Sequence, residues 1–122
     1  MSQNVIAVVD DLFFASKIRG TAEQVGTSVQ FSRSIADAVA KAREETPALI
    51  IADLNASCCD VFELARALKS DDALAGVPLL GFFSHIQTEL QQAAIAAGYD
   101  RVMPRSAFTK NLTAILSGTE LH

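Results

Sequence analysis

The sequence predicts an α/β domain built on a five-stranded parallel sheet, and two observations carry this prediction. First, apolar runs of strand length alternate with amphipathic segments of helix length five times in 122 residues. Strict alternation with short connections is typical of a parallel sheet with helices on both faces. Second, Ala48 to Ala52 are all apolar and lead into Asp53. Such a run is typical of a strand that is buried on both faces.

The first half of the chain contains two further strand–helix units. Val5–Val9 is apolar and β-branched, which predicts the first strand, and Leu12–Val25 has the apolar periodicity of an amphipathic helix. Ser28–Phe31 predicts the second strand. The second helix is expected to begin after Ser34 as its N-cap and to end before Pro47.

The second half repeats the pattern after the buried strand. Asp60 is the expected N-cap of the third helix, Val77–Phe83 the fourth strand and Ser84 the N-cap of the fourth helix. Arg101–Met103 predicts a brief fifth strand, and Ser106 is the expected N-cap of the last helix, which ends at Gly118. The inward-facing residues of these helices are expected to be Val61, Leu64, Ala65 and Leu68, then Ile86, Leu90, Ala93 and Ala97, then Phe108, Leu112 and Ile115.

Composition limits the classes of function. The formal net charge is −4, so there is no basic field to attract nucleic acid or an anionic membrane. The apolar runs are too short to span a membrane, and the first residues lack the basic head of a signal peptide. The adjacent Cys58 and Cys59 cannot join distant segments, which favours a reducing, cytoplasmic setting. We expect a single domain over residues 1–122.

Three aspartates follow two of the predicted strands. Parallel strands end at one edge of the sheet, and doubly wound sheets bind ligands there. In the order typical of this size the first and third strands are neighbours, so Asp10, Asp11 and Asp53 are expected to share one pocket. Carboxylates about 4 Å apart repel by roughly 1 kcal/mol in water and about 4 kcal/mol in a partly buried site. The cluster therefore predicts a bound cation, and oxygen ligands in an open site suit Mg²⁺. The alternatives are that Asp53 simply caps the next helix or turn, and that the three are unrelated surface aspartates.

With this pattern of aspartates the sequence resembles the receiver domains of two-component response regulators. The resemblance runs from Val5 to Leu116 and is carried by Val8–Asp11, Ile50–Asp53 and Asp60–Leu64. It implies a flavodoxin-like fold with strand order 2-1-3-4-5. It also implies that Asp53 accepts a phosphoryl group from a histidine kinase or phosphotransfer protein. Asp10, Asp11, Asp53 and the backbone carbonyl of Asn55 would then hold Mg²⁺.

The sequence departs from the family at the positions that read out phosphorylation. The family's Ser or Thr at the end of the fourth strand aligns with Phe83, and the neighbouring Ser84 could replace it only if the strand has already ended. The switch aromatic of the fifth strand aligns with Val102. We interpret the two replacements, Phe83 and Val102, as a volume exchange. In this interpretation Phe83 fills the space that the family's moving aromatic ring would use, and it locks one conformation.

The family's lysine in the loop after the fifth strand aligns with Arg105. Its positive charge is expected to pair with Asp53 or Asp10, where it would neutralise the acidic cluster without a metal. An exposed Arg105 with no such partner is the alternative.

Three functions stay open from the sequence. The first is a phosphorylated receiver with a degenerate switch. The second is a receiver-like docking module that is never phosphorylated, with its partner on the surface of the fourth helix, fifth strand and last helix, to which Tyr99 would also contribute. The third is a small Mg²⁺-dependent phosphatase-type enzyme, a class that the absence of an Asp-x-Asp motif disfavours.

Overall fold

The computed structural model describes residues 4–56, 60–84 and 88–117. Strands and helices alternate along the described chain. The five strands are β1 (Asn4–Val8), β2 (Ser28–Ser32), β3 (Leu49–Asp53), β4 (Leu79–Phe83) and β5 (Arg101–Pro104). The six helices are α1 (Leu12–Val25), α2 (Ile35–Glu44), α3 (Val61–Lys69), α4 (Thr88–Ala97), α5 (Arg105–Lys110) and α6 (Leu112–Ser117).

The strands form one parallel sheet in the order β2-β1-β3-β4-β5. This is the predicted flavodoxin-like order, in which the chain reverses its direction across the sheet between β1 and β3. The register pairs Val8 with Ala52 and pairs Asp53 with Phe82. The ends of β1, β3 and β4 therefore lie side by side at one edge, where such sheets bind ligands.

The side chains of the strands point alternately to two core clusters. Ile6 and Val8 of β1 lie in the cluster under α2, α3 and α4, whereas Val5, Ala7 and Val9 lie in the cluster under α1, α5 and α6. All five residues of β3 are buried, as the continuous apolar run predicts. The helices thus cover both faces of the sheet and leave its carboxyl-terminal edge for the site.

The start of one strand and one residue of a helix face differ from the sequence prediction. Strand β4 begins at Leu79 rather than Val77, because Pro78 has no N–H for the sheet ladder. On α4 the predicted Leu90 and Ala97 pack against the core, but the buried alanine between them is Ala94, whereas the predicted Ala93 is exposed. Ile86, also predicted on that face, lies outside the described residues.

The last helix was predicted as one element capped by Ser106, and this prediction is wrong. Helix α5 begins at Arg105, directly after Pro104, and Asn111 separates it from α6. The amide of Asn111 donates a hydrogen bond to the Ala107 carbonyl at 2.9 Å, and asparagine side chains that bond nearby backbone groups compete with helix continuation.

No helix within these described ranges combines the length and the apolar character that a membrane span requires.

Candidate functional site

The candidate site lies at the carboxyl-terminal edge of the sheet. Asp53 is the last residue of β3 and is only 6% exposed. Because Leu49 and Ile51 belong to the cluster under α1, strand alternation turns Asp53 toward the same face. Asp10 and Asp11 follow β1 and lead into α1. The two strand ends thus deliver the three predicted aspartates to the same edge.

The aspartates interact electrostatically. Burial raises the pKa of the Asp53 carboxyl above its ordinary value, and the negative charges of Asp10 and Asp11 raise it further. The N–H of Asn55, 2.9 Å from the Asp53 Oδ1, and the positive charge of Arg105 act in the opposite direction. The charges of Asp10, Asp11 and Arg105 thus act on Asp53, which is buried whereas Asp10 and Asp11 are half-buried; a shared acidic pocket stays a prediction.

Asp11 is the N-cap of α1. Its Oδ1 accepts hydrogen bonds from the backbone N–H groups of Phe13 and Phe14, at 3.0 and 3.2 Å. Its Oδ2 accepts from Nη2 of Arg105 at 3.0 Å. The hydrogen bond from Arg105 is the main reason that the pKa of Asp11 lies below its usual value, and the N–H of Phe14 adds to the effect. Both oxygens of this carboxylate are thus engaged.

Arg105 is the first residue of α5 and pairs with Asp11, not with Asp53 or Asp10 as the sequence analysis expected. The Cζ atom of Arg105 lies 4.0 Å from the centre of the Phe14 ring, a geometry in which the ring attracts the cation. The Phe14 ring is itself held by Phe82 and Phe108, at centroid distances of 5.0 and 5.7 Å. Arg105 thus contacts the Asp11 carboxylate and the Phe14 ring at the same time.

Asn55 connects the two loops above β3 and β4. Its backbone N–H binds Asp53, while its Oδ1 accepts a hydrogen bond from the backbone N–H of Ser84 at 2.7 Å. The sequence analysis assigned Asn55 a role through its carbonyl and missed this side-chain contact. One signal could have indicated this contact: Asn55 lies two residues beyond a buried strand and opposite the end of β4.

The switch positions lie around the end of β4. Phe83 is buried in the cluster under α2, α3 and α4, and Val102 packs against the same cluster; the volume exchange between the two positions stays a prediction. The strand ends at Phe83, so the exposed Ser84 has left the strand. This is the condition that the sequence analysis set for Ser84 as a substitute hydroxyl.

Tyr99 does not contribute to the predicted docking surface. Its side chain is buried, and its hydroxyl donates a hydrogen bond to the Val61 carbonyl at 2.9 Å. This hydrogen bond connects the segment just before β5 to the first residue of α3. Cys58, Cys59 and His85 lie outside the described residues.

The donor chemistry of the pocket suits Mg²⁺, since its carboxylates and a nearby carbonyl are oxygen ligands. Its arrangement does not, because Asp11 already binds two N–H groups and a guanidinium. Across the described parts of the chain, no group of three or more His, Cys, Asp or Glu side chains is placed so that it could hold a metal ion. The residues as arranged do not fit the metal, and its predicted site remains a prediction.

The fold is that of response-regulator receiver domains. A chemotaxis response regulator of Vibrio cholerae superposes with a TM-score of 0.83 at 22% identity, over 98% of this chain and 99% of that one. A response regulator of Hahella chejuensis gives 0.86 at 21% identity, over 98% and 96%. A phosphorylated cyanobacterial phytochrome response regulator gives 0.79 at 23% identity, over 98% and 92%. The predicted resemblance to receiver domains is confirmed in the fold.

A sequence relative points in the same direction. A gliding motility regulatory protein of Myxococcus xanthus is 31% identical over 96 residues, which are 78% of this chain. The chain spans 12% of the length of that relative. No protein-family model matches the sequence.

Proposed function

We propose that this chain, which has the fold of response-regulator receiver domains, acts as a receiver in two-component signalling with Asp53 as its phosphoacceptor. One observation carries the proposal: a buried carboxylate ends β3 at the sheet edge where Asp10 and Asp11 follow β1, and their charges and that of Arg105 act on it. The relatives whose titles name response regulators support the signalling class. We further propose that it works in the cytoplasm, without nucleic acid or a membrane as its partner.

The reaction is a phosphoryl transfer from a phosphohistidine or a small acyl phosphate. An oxygen of the Asp53 carboxylate attacks the phosphorus atom, the bond from phosphorus to the donor breaks, and its electron pair leaves with the donor. The new P–O bond makes Asp53 an acyl phosphate. The protein contributes position and charge in such reactions: the N–H of Asn55 orients the carboxylate, and Arg105 offsets the accumulating negative charge.

The phosphodonor protein would approach over the start of α1. Leu12 and Phe13 are 72% and 92% exposed, and they directly follow the acid pair. Exposed large apolar side chains of this kind, next to a polar pocket, are suited to burial against a partner. We propose that a histidine kinase or phosphotransfer protein covers these two residues when it places its phosphohistidine near Asp53.

The response would differ from that of receivers with an intact switch. Phe83 offers no hydroxyl to a phosphoryl group, and its buried ring is part of the cluster under α2, α3 and α4. Ser84, whose N–H donates a hydrogen bond to Asn55, carries a hydroxyl directly after β4. The output surface would be that of α4, β5 and α5, where Ile95 is 56% exposed.

Intact-mass measurement after incubation with acetyl phosphate tests the proposal. The reaction is run with and without Mg²⁺ on the wild type and on Asp53→Asn. We expect one phosphoryl adduct on the wild type and none on the variant. Equal adduct formation by both proteins, or none on either, would refute Asp53 as the acceptor.

A docking module that is never phosphorylated is the second candidate, favoured by the buried Phe83 and by the Arg105–Asp11 ion pair. An unmodified wild type that still binds a partner through α4, β5 and α5 would support it. Sustained phosphate release, in place of a stable adduct, would instead indicate a phosphatase-type enzyme.

A further inference from the structure

We propose that Asn55 is a positioning residue that couples the carboxylate of Asp53 to Ser84, the first residue after β4. The inference deepens the proposed function and rests on it for its meaning, because it names the route by which a change at Asp53 reaches the segment beyond β4. The coupling itself is a property of the unmodified chain and needs no phosphodonor.

The first argument is the turn that follows β3. The Asp53 Oδ1 accepts the N–H of Asn55 at 2.9 Å, and the Asp53 carbonyl accepts the N–H of Ala56 at 3.0 Å. An aspartate side chain that binds the N–H two residues further on fixes a defined turn of the backbone. The carboxylate thus sets the backbone position of Asn55 and, with it, the point from which the Asn55 side chain extends.

The second argument is the acceptor that Asn55 offers to the end of β4. The N–H of Leu54 donates to the Phe82 carbonyl at 2.8 Å. In a regular parallel ladder the next bond would run from the N–H of Ser84 to the Leu54 carbonyl. Here the side chain of Asn55 provides the acceptor, with its Oδ1 2.7 Å from the Ser84 nitrogen. The position of Ser84 therefore depends on a side chain whose backbone is held by Asp53.

The third argument is that β4 itself offers Asp53 no polar side chain. The strand consists of apolar residues and a glycine, and its last residue, Phe83, is buried in the cluster under α2, α3 and α4. Asn55, in contrast, bonds both Asp53 and Ser84. Coupling between two sites requires an element whose arrangement both sites bias, and Asn55 occupies that position.

Phosphorylation of Asp53 would act through the same two hydrogen bonds. A carboxylate accepts a stronger hydrogen bond than a neutral oxygen does, and an acyl phosphate leaves the side-chain carbon of Asp53 with one neutral carbonyl oxygen and one ester oxygen. The bond from the Asn55 N–H therefore weakens, the turn loosens, and the Asn55 amide moves relative to Ser84. The chain thus carries a link from the acceptor to the segment after β4 that does not need a hydroxyl at Phe83.

The test is a double-mutant cycle read by amide hydrogen exchange in nuclear magnetic resonance, at one pH and without any phosphodonor. The cycle compares the wild type, Asp53→Ala, Asn55→Ala and the double variant. Asp53→Asn is the matched control, because it keeps an oxygen that can accept the Asn55 N–H. The internal reference is the N–H of Leu79, which donates to Asp100 Oδ2 at 2.8 Å at the opposite end of β4.

We expect the N–H of Ser84 to exchange about tenfold faster in Asp53→Ala and in Asn55→Ala, since each substitution removes one of the two bonds. The double variant should exchange no faster than either single variant, because the second substitution acts on a link that is already broken. Asp53→Asn should stay within about twofold of the wild type, and exchange at Leu79 should not change in any variant.

An unchanged rate at Ser84 in Asp53→Ala, or single effects that multiply in the double variant, would overturn the proposal. So would an equal acceleration at Leu79, which would assign the effect to unfolding of the whole domain, or an acceleration in Asp53→Asn equal to that in Asp53→Ala. Because no phosphodonor is present, each of these outcomes is independent of the adduct that tests Asp53 as the acceptor.

Discussion

Replacement of Asp53 by asparagine should stabilise the metal-free protein. The substitution keeps the size of the side chain and an oxygen that can accept the Asn55 N–H, but it removes a buried negative charge. Two unit charges roughly 6 Å apart at an effective dielectric constant of about 20 interact with about 3 kcal/mol. Two carboxylates repel Asp53 and one guanidinium attracts it, and solvent screens the partly exposed groups. The net gain is about 1–2 kcal/mol.

The assay is thermal unfolding at neutral pH in the presence of a chelator. For a chain of this size a gain of about 1–2 kcal/mol corresponds to a rise in Tm of roughly 4–8 °C. Asp72→Asn is the matched control, since Asp72 is exposed and loses the same charge at the surface. An unchanged or lower Tm in Asp53→Asn, or an equal rise in the control, would refute a crowded acidic pocket.

The pH dependence of stability follows from the direction in which the pKa of Asp53 is shifted. Because the pKa of Asp53 is raised in the folded state, its contribution to stability is present below the ordinary value of 3.8 and is lost as the pH rises through the folded value. The advantage of Asp53→Asn over the wild type should thus be largest at neutral pH and should disappear below pH 3.8. An advantage that persists at acid pH would indicate a cause other than charge.

Two further substitutions test other contacts. Asn55→Ala should remove the hydrogen bond to the N–H of Ser84; we expect hydrogen exchange of that N–H to accelerate about tenfold, and unchanged exchange would contradict the contact. Gly81→Ala should destabilise the protein by about 1–3 kcal/mol, because the new Cβ would lie 2.9 Å from Leu54 Cδ2 and 3.0 Å from Tyr99 Cδ2. Denaturant unfolding measures the loss, and a stability equal to the wild type would show that this packing can relax.

The fold was predictable because the local sequence patterns of strands, helices and helix caps all agree with one parallel α/β architecture. The apolar run into Asp53, the alternation of strands and helices, and the N-caps Ser34 and Asp60 all correspond to observed elements. The break at Asn111 was not predictable from periodicity, because apolar residues continue through it while a side-chain amide bonds the preceding turn.

The sequence indicated which residues lie at this edge of the sheet but not which of them form pairs. Strand ends alone brought Asp10, Asp11 and Asp53 to one edge. The partner of Arg105, however, depends on the start of α1 and on the place where the Phe14 ring lies. Phe14 lies on the buried face of α1, and its contact with the guanidinium depends on rings contributed by β4 and α5. Such contacts join distant segments and leave no periodic signal.

The most direct test of the central claim is to locate the phosphoryl group chemically. Borohydride reduces an acyl phosphate of aspartate to homoserine, so treatment after incubation with a phosphodonor marks the acceptor for peptide sequencing by mass spectrometry. The account predicts homoserine at position 53, with Asp10 and Asp11 unchanged. Homoserine at either of those two positions, or intact aspartate at position 53 in protein that carries the adduct, would contradict it.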